Sequence, residues 1–292
     1  MATLRELKAR IGSVASSEKI TGAMKMISSA KMHKAELALR QLKPFRSQVE
    51  TIIANLLSAD VDFASPLLES REVKSIDLVV MGSDDGLCGA YNVNIYKQAV
   101  AEVETLRSQY PEAVITVMPV GSKIAKQVVK LGRPDVKVNL TTGVDSKSDG
   151  EAVKIFTDTL RERFIAGQSD LAVILSTHFH TVSRQRIESR QFLPVQASSL
   201  SGSNGNITIK PYIFEPSPRA IVDSVLPLYQ LAVMQDIFTQ NRASEQAARV
   251  MAMQSANDNA KKLLEQLRLE YNKLRQQSIT NELLDIVGGQ VR

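Results

Sequence analysis

The sequence predicts an α/β chain in which a long antiparallel two-helix coiled coil, built from both termini, rises from a central Rossmann-like α/β domain. Three observations predict it. Apolar residues recur at helical heptad spacing over residues 1–58 and 218–287, strand and helix patterns alternate between them, and neither terminal helix can bury its apolar stripe without a partner. The division that follows is 1–58 for the N-terminal helix, 59–217 for the α/β domain and 218–292 for the C-terminal helix with a projecting tip.

The chain has 292 residues, 43% of them apolar, and a formal charge of +5, enough for one sizeable domain and an extension. It has no uninterrupted run of 18 apolar residues, so a membrane span is not expected. The N-terminal MATLRELKARIG is charged and helical and reads as mature sequence, not as a signal. Cys88 is the sole cysteine, which rules out an intrachain disulfide and suits a reducing compartment.

In the first helix Leu4, Leu7, Ile11 and Val14 keep a 3,4 spacing, and Ile20, Met24 and Ile27 resume the apolar line. Gly12, Gly22 and the run Ser28, Ser29, Ala30 would let a second backbone approach closely. Pro44 should bend or restart the helix, because it lacks an amide donor and crowds the preceding turn. Residues 1–60 hold ten Lys and Arg against five Asp and Glu, while 61–217 hold 17 against 18 and 218–292 nine against eight, so the whole positive excess lies on this helix. Such a face suits solvent or an acidic protein surface. Nucleic acid ranks last, because no aromatics are interleaved with the basic residues, Trp is absent and aromatics total 5%.

Between the helices, Ile76–Gly82, Val114–Val120, Val136–Thr141 and Leu171–Thr177 read as buried strands, and 91–109, 121–131 and 149–166 as helices. Stretches 181–195 and 206–214 read as further strands, joined by the loop SSLSGSNGN. This alternation marks a mostly parallel sheet and raises a nucleotide-enzyme reading, which the loops do not support. GSDDGLCGAYN, from Gly82, has neither dinucleotide nor phosphate-loop spacing, and Lys123 lacks a glycine frame. Asp84 and Asp85 suit a turn and helix cap better than a metal pair. His178 and His180 share a strand face but show no third ligand. Cys88 precedes a helix, which would lower its pKa, yet no base or resolving cysteine marks it as a nucleophile.

The last helix starts with Ser217 as cap and Pro218 at its first position, and Pro227 argues for a kink. Ala260, Leu264, Leu267, Tyr271 and Leu274 keep strict a/d spacing. Beyond them Ile279, Leu283, Leu284, Ile286 and Val287 spread apolar groups around the circumference. Equal rise along antiparallel helices that start together at residues 58 and 218 brings residue 1 beside about residue 275. The remaining residues then project as a single apolar helix suited to a socket on other subunits.

Arg10-Ile11 with Ser13, KITGAMKMISSAK (19–31), GLCGAYN (86–92), SEQAARVMAMQSANDNA (244–260) and YNKLRQQSITNELLDIVGG (271–289) resemble the gamma subunits of F-type ATP synthases of the bacterial type, over nearly the whole length. One departure is Asp85, where that family usually has a basic residue; the chain also lacks the cysteine-bearing insert of chloroplast members. The resemblance implies a non-catalytic central rotor stalk of a proton-translocating ATP synthase, without cofactor or metal of its own. Its coiled coil would turn inside a ring of three alpha and three beta subunits, and its base would sit with the epsilon subunit on the membrane c-ring. Carried over by motif, Met24, Lys25, Arg249, Arg275, Gln276, Thr280 and Glu282 would engage the alpha/beta head, beside the tip residues Leu284, Ile286 and Val287. Leu87 and Cys88 would lie near beta and epsilon. The implied location is the cytoplasmic face of a bacterial inner membrane, as a peripheral protein.

Overall fold

The computed structural model describes residues 3–58, 65–131, 136–196, 215 and 217–289. Helix α1 (Leu4–Ser58) is followed by β1 (Ser75–Met81), α2 (Tyr91–Gln109), β2 (Val114–Val120), α3 (Ser122–Val128) with a 3₁₀ turn (Val129–Leu131), β3 (Val136–Val138), α4 (Gly150–Ile165), β4 (Leu171–Thr181), β5 (Arg184–Leu193) and α5 (Pro218–Gly289). The expected strand 206–214 and the loop before it lie outside the described residues.

The sheet runs in the order β3-β2-β1-β4-β5, parallel except for β5, which pairs antiparallel with β4. β3 is shorter than expected, and Pro119 explains why. Asn139 donates to Val117 O at 2.9 Å, and the next rung would need an amide on Pro119, which has none.

β1 is buried on both faces. Ile76, Leu78 and Val80 point to a core shared with Ile95, Ala99 and Val103 of α2 and Ile124 of α3. Val79 and Met81 point to the opposite core, which holds Phe156 and Leu160 of α4, Val49 and Ile53 of α1, and Val222, Leu226, Val233 and Phe238 of α5. The base of the coiled coil is therefore one of the layers that cover the sheet. Pro44 and Pro227 lie inside unbroken helices, where burial of these flanking side chains offsets the lost backbone bond. The most apolar 18-residue stretch of α5 has a mean hydropathy of 1.2, and 56% of it is buried inside the molecule.

Above the domain the two helices run antiparallel. Arg46 pairs with Asp236 at 2.7 Å, and Asn257 Nδ2 donates to Glu18 O at 2.7 Å; continued at equal rise from the second pair, the start of α1 lies beside about residue 271. The seam departs from the sequence reading in one stretch: Ile20 and Ile27 are 59% and 57% exposed, while Ser28, Met32 and Ala35 are buried. The buried line runs one position on from Ile27, through Ser28, Met32 and Ala35, and leaves both isoleucines on the outer face. Of the two early glycines, only Gly22 marks a close approach of the helices, its added Cβ lying 3.3 Å from Asn257 Nδ2; around Gly12 there is open space.

Candidate functional site

Two regions stand out: the end of α5 and the loop after β1. On α5, Leu264 and Leu267 are buried and Tyr271 and Leu274 half-buried, and from Ile279 onward the apolar side chains face outward all round. Leu283, Leu284, Ile286 and Val287 are each about three-fifths exposed, flanked by exposed Arg275, Gln276, Thr280 and Glu282. Thr280 returns its hydroxyl to Gln276 O at 2.8 Å. Met24 and Lys25 lie half-buried on α1, well back from this tip.

The loop after β1 occupies the place where the strand order reverses between β1 and β4, the crevice at which open α/β sheets ordinarily take a ligand. Here the crevice is filled by α5. Asn241 Nδ2 donates to Gly82 O at the end of β1 at 2.9 Å, and Ser244 Oγ donates to Thr177 O on β4 at 3.2 Å. Tyr91 at the start of α2 donates its hydroxyl to Asn241 Oδ1 at 2.7 Å, and burial pushes its pKa far up, so it remains a donor. Gly82 permits α3 to pack closely against the end of β1 from the other side: a Cβ there would meet Ile124 Cβ.

One turn further on, Arg249 reaches the loop itself. Its Nε and Nη2 donate to Gly86 O at 3.2 and 3.1 Å, and Nη2 also reaches Asp85 O at 3.4 Å and Glu245 Oε1 at 2.7 Å. Arg249 is 5% exposed and Glu245 1%. Burial raises the Glu245 pKa and the Arg249 guanidinium opposes that rise. The loop thus turns Leu87 outward, 61% exposed and in the left-handed region at φ 61°, and Cys88 inward, 3% exposed. Cys88 departs from the sequence reading: burial pushes its thiol pKa up, and the Ser83 hydroxyl near Sγ and the Arg249 charge only partly oppose that.

Asp84 is a cap, though for a helix distant in sequence. Its Oδ1 accepts from Ser122 N at the start of α3 at 2.7 Å, and Oδ2 from Ser146 N and Oγ at 2.8 and 2.7 Å. Burial works against its ionisation, yet these donors hold its carboxyl below the usual range. Asp85, the departure noted above, pairs with Lys147 at 2.9 Å, and that hydrogen bond lowers its pKa. Arg242 of α5 donates to Lys147 O and Ser148 O, both at 2.8 Å, so a second loop is tied to the same helix. His178 and His180 stack edge to face at 4.6 Å on β4, and among the described residues no three acidic, His or Cys side chains converge as metal ligands.

The roles of Asn241, Arg242 and Glu245 escaped the sequence reading. A signal was available: Asn241, Glu245 and Arg249 recur every fourth residue on a helix otherwise rich in Ala, a polar stripe with a fixed partner.

Comparison with known proteins gives one answer along the whole length. A family model described as ATP synthase matches residues 3–291. The ATP synthase gamma chain of Parabacteroides distasonis is similar, 39% identical over 99% of this chain and 98% of its own length. That of Phocaeicola vulgatus is 40% identical over 99% of both, and that of Cupriavidus pinatubonensis 34% over 99% of both. Among solved structures, a chain of the Euglena gracilis mitochondrial ATP synthase OSCP/F1/c-ring assembly in rotational state 3 shares the fold, with TM-score 0.64 and 19% identity over 99% of this chain and 93% of that one. A chain of the rotor from the same organism in rotational state 1 gives 0.60 at 21% identity over 94% and 98%.

Proposed function

The chain belongs to the ATP synthase gamma-chain family, and on that premise we propose that it is the non-catalytic shaft of the central stalk, coupling rotation of a membrane c-ring to the catalytic sites of the beta subunits. It is part of a membrane-associated complex. One observation carries the shaft reading: α5 fills the crevice of the α/β domain and runs on unbroken, to end as a single helix with apolar side chains on every side.

In this reading the ring of alpha and beta subunits supplies the socket for Leu284, Ile286 and Val287. Lys25, Arg275, Gln276, Thr280 and Glu282 contribute polar and charged contacts to the head, with Met24 as an apolar contact beside Lys25. Leu87 faces beta or epsilon, and the domain base rests with epsilon on the c-ring. Proton passage drives the rotation, on the cytoplasmic face of a bacterial inner membrane. The functional division is 1–58, 59–217 and 218–292, although both helices also contribute to the domain core.

A lopsided shaft in a three-fold ring touches each site differently, so each orientation favours a different conformation at each site. Linkage makes this reciprocal: nucleotide occupancy biases shaft angle as shaft angle biases occupancy, so the same part serves synthesis and hydrolysis. The test is recovery of the chain from gently solubilised membranes. Co-purification of a six-membered head with epsilon and a c-ring is the expected result, and recovery of the chain without the head would refute the reading.

A further inference from the structure

We infer that Arg249 is a positioning residue that acts through the loop and never reaches a partner itself. It clamps Asp85 and Gly86 to α5, so that Leu87 is presented at a fixed angle and the loop turns with the shaft as one body. The inference rests on the rotor reading and corrects one part of it, the assignment of Arg249 to the head contacts.

The geometry leaves Arg249 little else to do. The side chain is 5% exposed, and Nε and Nη2 are committed to two loop carbonyls and the Glu245 carboxylate. A buried guanidinium in such a fork gives directional, charge-assisted bonds that a point charge does not reproduce. What it holds is a strained element, because Leu87 lies at φ 61° without being glycine, and left-handed backbone of that kind persists only where the surroundings over-determine it. Cys88 is buried on the domain side, so the loop is gripped from both sides and Leu87 alone is offered outward. Gly89, also at φ 61°, brings the loop against the next turn of α5, where an added Cβ would lie 3.6 Å from Ala252 Cβ. Glu245 keeps the guanidinium aimed.

The experiment follows from that last distance, which falls within disulfide reach. In the intact complex, Arg249→Gln is expected to raise hydrogen exchange of the loop amides roughly tenfold. It is also expected to lower the ratio of ions transported to ATP hydrolysed while subunit recovery stays normal. Adding Gly89→Cys and Ala252→Cys, with Cys88→Ala to remove the competing thiol, should restore both when oxidised and lose both when reduced. Unchanged loop exchange in Arg249→Gln overturns the inference, and so does a coupling defect that persists when the oxidised disulfide has returned loop exchange to the wild-type rate. If Arg249→Gln fails to assemble, Arg249→Lys is read by the same measurements. Exchange in the isolated full chain judges the clamp independently of any partner. The rotor reading stands or falls separately, on recovery of the head with the unaltered chain.

Discussion

Asn257 of α5 and Glu18 of α1 are joined across the coiled coil by a 2.7 Å bond from side-chain amide to backbone carbonyl, opposite Gly22. Thr21 Oγ1 accepts from the same nitrogen at 3.3 Å. A polar side chain so placed has its partners only in one alignment of the helices and serves as a register pin. Asn257→Leu removes it and leaves the Glu18 carbonyl without this partner, for an expected loss of about 1–3 kcal/mol. Gly22→Leu forces the backbones apart and should lose at least as much. Denaturant unfolding of the isolated chain measures both, and unchanged midpoints would show that the pin is idle.

Gly82→Ala should destabilise the domain by about 1–3 kcal/mol, because the new methyl collides with Ile124 in a packed core. Gly86→Ala serves as control, since the nearest atom there is the flexible end of Lys123 at 3.8 Å. Equal thermal midpoints for the two variants would contradict the packing described between β1 and α3.

Acid should loosen the two loops in a defined sense. The donors around Asp84 hold its folded pKa below the unfolded one, so its contribution is present above the unfolded value and lost as pH falls through the folded value. Glu245 acts oppositely. Its burial-raised pKa gives a contribution that is complete below the unfolded value and lost as pH rises through the folded one. Asp84→Asn should flatten the acid limb of the stability curve, and Glu245→Gln should steepen it. Unfolding free energies measured from strongly acidic to neutral pH decide the matter, because the Asp84 window lies below the ordinary aspartate range and the Glu245 window above the ordinary glutamate range, and parallel curves would exclude both roles.

Leu284→Asp should leave the isolated chain as stable as the wild type, within about 0.5 kcal/mol, because the side chain is already exposed. Assembly with the catalytic head should be strongly weakened. A cysteine at the same position should react freely with a thiol reagent in the isolated chain and slowly in the complex. Equal labelling in the two states would remove the socket.

Most of the fold was legible because its signals are local and redundant. The alternation of Ile76, Leu78 and Val80 with Val79 and Met81 gives a strand buried on both faces, and a/d spacing to Leu274 gives the last helix. What the sequence hid depends on distance in space. Ile20 and Ile27 resemble seam residues by spacing, but the register of the two helices puts Ser28, Met32 and Ala35 inside and both isoleucines outside. The early end of β3 depends on a proline in its neighbour strand. Leu87 and Cys88 are adjacent and both apolar, and only the left-handed turn at Leu87 sends one outward and the other inward. Motif likeness marked Arg249 as important, but the loop carbonyls it holds lie more than 160 residues away in sequence.

The mismatch in helix length grades the mechanical character of the rod. Through most of its height two braced helices resist bending together, with Arg46 tied to Asp236 low down and Asn257 to Glu18 higher up. Past the start of α1 a lone helix remains, slimmer and springier. Elastic give is therefore concentrated at the free end, where it can absorb small misalignments while the thick lower portion delivers torque undiminished.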